Sequence, residues 1–176
     1  MRRQLAGVLG TMLVPGLVLA GSVAPALARA TGKESFSGVA LASGQSGTRT
    51  VFSTFLVADG VFRGAGRIVE IPSRPGDPDS ISRDDLVFRE GRMHLINTNK
   101  SFKASINPQT CVASITIHQT AIIRRGTGTF SHAVGRFVGD VHGRGVARRN
   151  SSGACSQQDA LLLEVDLVSA TGTLSF

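Results

Sequence analysis

The chain has 176 residues, a formal net charge of +7, nine Phe and neither Tyr nor Trp, enough for one ordinary domain with its own core. The missing Tyr and Trp argue against a carbohydrate module, which stacks sugars on those rings, and remove Tyr as an acid or base. Beyond residue 30, basic residues are scattered singly apart from Arg124-Arg125 and Arg148-Arg149. No basic stripe interleaved with aromatics exists, which argues against a nucleic-acid partner.

In chain order, Arg2 and Arg3 are followed by an apolar run from Leu5 to Val23 and then by Ala26-Leu27-Ala28-Arg29-Ala30. A charged start, an apolar middle and an A-x-A end are the parts of a secretory signal peptide. Residues 1–30 are therefore expected to be cleaved, after Ala28 or Ala30, leaving a domain over residues 31–176. Pro15 and several glycines break the run and no basic cluster follows it, so no membrane span is expected after cleavage. Removal of Arg2, Arg3 and Arg29 leaves a net charge of +4. The mature chain is expected outside the cytoplasm, secreted or in the cell envelope.

The rest reads as short strands with no helix. Ser35 to Leu41 is the first, and Thr48 to Val57 alternates Val51, Ser53, Phe55 and Val57 against Phe52, Thr54 and Leu56. Asp59-Gly60 is a two-residue hairpin signal with Val61 to Ile71 as its return, where Gly64 and Gly66 suggest a bulge or bend. Pro72 to Asp79, with three prolines and a glycine, opens the one long loop, running to about Arg83. Asp84 to Arg89 and Arg92 to Thr98 form a hairpin about Glu90-Gly91. Val112 to Ile123 follows a turn at Pro108. Val134 to Val138, Asp140 to Arg148, Ala160 to Val168 and Thr171 to Phe176 complete the set. On the Ala160 to Val168 strand, Leu161, Leu163, Val165 and Leu167 share one face and Leu162, Glu164, Asp166 and Val168 the other. The leucine face is expected inside and the acids in solvent. The inverse would place two carboxylates in an apolar cavity, an acid/base site.

Short strands at roughly ten-residue spacing with tight turns indicate an all-β barrel or sandwich. The many glycines favour a barrel, whose strands must bend sharply. Cys111 and Cys155 are an even pair in an exported chain and read as a disulfide. The rivals are free thiols or a metal pair, and no other Cys or His stands at ligand spacing.

Gly126-Thr127-Gly128-Thr129-Phe130 through Ala133-Val134-Gly135-Arg136-Phe137 has the pattern G-T-G-x-F-x-x-A-x-G-x-F. It resembles the central hairpin of allene oxide cyclase and dirigent-like barrels, above all their small secreted bacterial members. Ile106-Asn107-Pro108-Gln109-Thr110-Cys111 stands where that group has Phe-x-Pro-x-x-Cys. The resemblance spans Asp84 to Phe176 and implies a single antiparallel barrel of about eight strands with a ligand pocket inside. The catalytic residues do not carry over: dirigent members use a Tyr, which is absent here.

No nucleophile elbow, zinc-protease helix, phosphate loop or dinucleotide fingerprint is present. His94, His118, His132 and His142 stand singly, so neither a metal site nor a cofactor is assigned. Asp77, Asp79, Asp84 and Asp85 read as a solvated acidic loop. The interior is expected to be Phe, Leu, Val and Ile with an occasional polar residue, and Phe137, Arg136 and His118 are the candidate ligand-binding residues. The expected function is binding of a small apolar molecule in or at the barrel. A filled barrel serving as an envelope structural or interaction protein, and a cyclase- or isomerase-type enzyme, are the alternatives.

Overall fold

In the computed structural model, which describes residues 30–44 and 48–176, every strand sends alternate side chains to a common interior. Phe36, Leu56, Leu86, Met93, Ile123, Phe137 and Leu174 lie there, almost fully buried, as the period of two in a half-buried strand requires. The elements are β1 (Thr31–Ser43), β2 (Thr50–Gly60), β3 (Arg63–Ile71), β4 (Ile81–Phe88), β5 (Gly91–Ile106), β6 (Val112–Gly128), β7 (Val134–Val146) and β8 (Leu163–Ser175). Each pairs antiparallel with the next, and β8 returns to β1 in a closed barrel. Closure abolishes the free sheet edge. The expected eight-stranded antiparallel barrel is the observed fold, and the expected signal segment falls almost wholly outside the described residues.

Several boundaries differ from the sequence reading. Asp59 and Gly60 remain in β2, and the turn falls at Val61-Phe62. Lys33 O accepts from Val61 N at 3.0 Å and the Glu34 carboxylate from Phe62 N at 2.8 Å, which carries the hairpin two residues further. β5 runs on to Ile106 instead of stopping near Thr98, with an irregularity between Asn99 and Ser101. β7 is one strand through Asp140, and β8 starts at Leu163 and runs unbroken to Ser175. The longest connection is 147–162 rather than the proline-rich 72–80.

The two ends of the barrel are unlike. Around Val61-Phe62, Arg89-Glu90 and the turn after β6, short connections close one end. Phe62, Phe130 and Phe176 meet there edge to face, with centroids 5.0 Å (Phe62–Phe130), 5.3 Å (Phe130–Phe176) and 6.2 Å (Phe62–Phe176) apart. Phe88 lies beneath, 4.9 Å from Phe62, and the next layer pairs Phe36 with Phe137 at 5.1 Å. Edge-to-face aromatic pairs add about 0.5–1.5 kcal/mol each beyond their buried area. Gly172 makes room for this layer. A Cβ there would stand 2.0 Å from Arg136 O and 2.8 Å from the Phe137 ring, so only glycine lets β7 and the ring come so close. The start of β1 and the end of β8 join at the same end, where Ala30 and Phe176 exchange backbone hydrogen bonds of 2.9 and 3.0 Å. The connections 72–80, 107–111 and 147–162 gather at the opposite end, where β1 also ends.

Candidate functional site: the open half of the barrel

Beyond the phenylalanine layers the interior opens into a cavity of about 870 Å³. Its wall has two characters. On β5, β6, β7 and at the middle of β8 it is apolar, with Phe102, Ala104, Ile115, Ile117, Val141 and Val168. From β8 round to β4 it is acidic, with Glu164 and Asp166 on β8, Glu70 on β3 and Asp84 on β4. Phe102 pairs in register with Ile117 and shares its inward side, yet it is 62% exposed. Its ring therefore leaves apolar surface open to the cavity.

The acidic side is organised by Arg49, which enters from the connection between β1 and β2. Its Nε donates to Glu164 at 3.0 Å, Nη1 to Glu70 at 2.7 Å and Nη2 to Asp166 at 2.8 Å. Burial pushes the guanidinium down, but Glu70 and Glu164 more than offset this, and it titrates above its ordinary value. Burial also raises the Asp166 carboxyl above the usual range, and its neighbour Glu164 raises it further, against the pull of Arg49. Asp84 has a neutral partner, Asn97, whose Nδ2 donates to it at 2.5 Å. Burial pushes Asp84 up to about 6, with repulsion from Glu70 and Asp85 added.

The sequence reading of β8 is therefore inverted. Glu164 and Asp166 face inward at 7% and 5% exposure, while Leu163, Val165 and Leu167 face outward. The cause is parity. β8 pairs with both β1 and β7 without a bulge, and Leu174 and Gly172 are locked inward at the closed end. Counting back by twos brings Ala170, Val168, Asp166 and Glu164 inside. Small residues flank the acids in register: Ala40 and Gly143 beside Asp166, Ala42 and Gly145 beside Glu164. A Cβ on Gly143 would lie 2.6 Å from Asp166 Oδ1. That run of small residues on both neighbouring strands was the available signal for room at this level.

The candidate ligand residues separate. Phe137 is inside and buried, but it packs in the closed half and does not line the cavity. Arg136 projects outward beside a shallower recess of about 550 Å³ that also includes Arg124. His118 is outside too, its Nδ1 paired with Asp140 across β6 and β7. Both fail as interior residues because each is one position out of phase with its inward neighbours, Phe137 and Ile117. The supposed acidic loop also divides. Asp77 takes two hydrogen bonds of 2.9 Å from Arg83, which hold its carboxyl down at about 2. Asp85 is buried on the outer face under Arg92 and His94, and only Asp84 turns inward.

Cys111 and Cys155 form the expected disulfide, with Cα atoms 5.3 Å apart. It ties the turn between β5 and β6 to the 147–162 connection, and Gln157, Ala160 and Leu161 of that connection form part of the cavity mouth. Arg149 adds to the tie, donating to Gly153 O at 2.6 Å and to Gln109 O. No protein-family model, curated protein or solved structure matches this chain.

Proposed function

We propose that this barrel binds a small molecule with a largely apolar body in its open half. The observation that carries the reading is Phe102, turned inward and 62% exposed, on the apolar side of a cavity of about 870 Å³. That volume falls within the range of small-molecule sites, roughly 300–1,000 Å³. A filled barrel accounts for the phenylalanine half alone. The likeness to allene oxide cyclase and dirigent-like barrels belongs to the same proposal, and its support is the shared eight-stranded architecture. So does work outside the cytoplasm, supported by the disulfide and by the leader pattern of residues 1–30.

The test is titration with a neutral polarity-sensitive dye, N-phenyl-1-naphthylamine. Saturable fluorescence at one dye per chain is expected, lost in Phe102→Ser and in Ala104→Trp, which fills the cavity from its apolar side. Absence of saturable uptake by the wild-type chain refutes the reading.

A second reading, proton transfer on the bound molecule, is favoured by one observation. Asp84 titrates near 6 and stands on the cavity wall, where a carboxyl can both take and return a proton near neutral pH.

A further inference from the structure

We propose that the molecule taken into the open half is an organic cation, an amine carried on an apolar body, and not a fatty or aromatic acid. This rests on the ligand-binding reading above and adds the sign of the ligand's charge.

The cavity is bipolar in a way that suits such a molecule. Phe102, Ile115 and Ile117 make one side apolar, while Glu70, Asp84, Glu164 and Asp166 stand on the other. Arg49 faces those four acids, and each of its three nitrogens already donates to a carboxylate. The other lining guanidinium, Arg83, is paired with Asp77, and Asp159 adds a further acid at the wall. Three of the five Arg49 N–H donors are already held by carboxylates, and an incoming acid would meet the remaining two against the net negative charge of those neighbours. The sign inside is also opposite to that of the chain as a whole, whose net charge is +7. A low-dielectric pocket strengthens that local field.

Asp84 is the group with something to gain. Its hydrogen bond comes from the neutral amide of Asn97, so its charge is solvated within the cavity but not neutralised there. An ammonium brought beside it makes a charge-assisted hydrogen bond, while the apolar body covers Phe102. A metal ion fits less well: among the described residues no three acidic, His or Cys side chains are placed to share one. The volume calls for a larger, mostly apolar guest.

The experiment displaces the neutral dye with three probes of equal length at neutral pH, decylamine, 1-decanol and decanoate, each below its aggregation threshold. Decylamine is expected to compete at about ten-fold lower concentration than decanol, the worth of one charge-assisted hydrogen bond, and decanoate to compete worst. In Asp84→Asn the advantage of amine over alcohol is expected to shrink several-fold while decanol is unchanged. The wild-type comparison stands without any variant. Equal competition by all three, or preference for decanoate, overturns the cation and leaves the binding reading intact. Failure of the dye itself to bind overturns both.

Discussion

Arg49 Nη2 lies 2.8 Å from Asp166 Oδ2, joining the connection before β2 to the inner wall of β8 across 117 positions of sequence. The same guanidinium holds Glu164 at 3.0 Å, so one cation makes two buried carboxylates tolerable on adjacent inward positions of one strand. Arg49→Met is expected to destabilise the fold at pH 7 by about 2–3 kcal/mol. That is less than removal of a partner from a fully buried pair, because Arg49 is partly exposed. The loss should shrink at pH 5, where Asp166 is protonated, and should largely vanish when Glu164→Gln and Asp166→Asn are added. Urea unfolding of the three chains at both pH values tests this.

Phenylalanines at the two levels of the barrel should respond in opposite ways. Phe137→Ala removes a ring packed 5.1 Å from Phe36 in the closed half and is expected to cost about 3–5 kcal/mol while dye binding survives. Phe102→Ala removes exposed surface and should change stability by less than about 0.5 kcal/mol while dye binding is lost. Thermal melts and dye titrations on both variants decide the matter, and the reverse pattern would place the site in the wrong half.

Acid should stabilise this barrel before it destabilises it. Asp84 titrates at about 6, above the ordinary 3.8, so the folded state binds more protons than the unfolded state between those values. Stability then rises as pH falls through that window. Asp166 is shifted the same way, and the charged groups acting on Asp84 are its cross-strand neighbour Glu70, the adjacent Asp85 and Arg49. Asp77 is shifted oppositely, to about 2 by Arg83, so its contribution is lost as pH falls from about 4 toward 2. A melting temperature that climbs from pH 7 to about 4 and then drops is expected. The climb should be reduced in Asp84→Asn.

Amine binding should run against that stability profile. Protonation of Asp84 and Asp166 below pH 6 removes the negative charge that favours the cation, whereas an alkylamine stays protonated throughout. Competition by decylamine is therefore expected to weaken several-fold between pH 7.5 and 5, with decanol constant across the range.

Replacing Cys111 and Cys155 together by Ser is expected to cost about 4 kcal/mol on the chain-entropy model for a 44-residue separation. The bridge holds the 147–162 connection at the mouth, so dye dissociation should also quicken. Stopped-flow release from oxidised and reduced protein measures that directly.

Much of this barrel was legible in advance. Alternation in Thr48 to Val57 and Val112 to Ile123, the glycine-rich turns and an even cysteine count are local or nearly local properties, and they led to the architecture and the bridge. The inward side of β8 was not local. Leu163, Val165 and Leu167 are greasier than Glu164 and Asp166, and on the strand alone they belong in a core. Their placement is decided at Gly172 and Leu174 by the aromatic layer, and it is made tolerable by Arg49 from another hairpin. Arg136 and His118 were misassigned for the related reason that a single step of register turns a side chain through the wall.

The chain enters the barrel at Ala30 and leaves it at Phe176, paired with each other beside the phenylalanine plug. A tether at either end, whether a natural attachment or a laboratory linker, therefore holds the molecule by its sealed base. The mouth then points away from whatever surface the protein is fixed to and stays open to the surrounding medium.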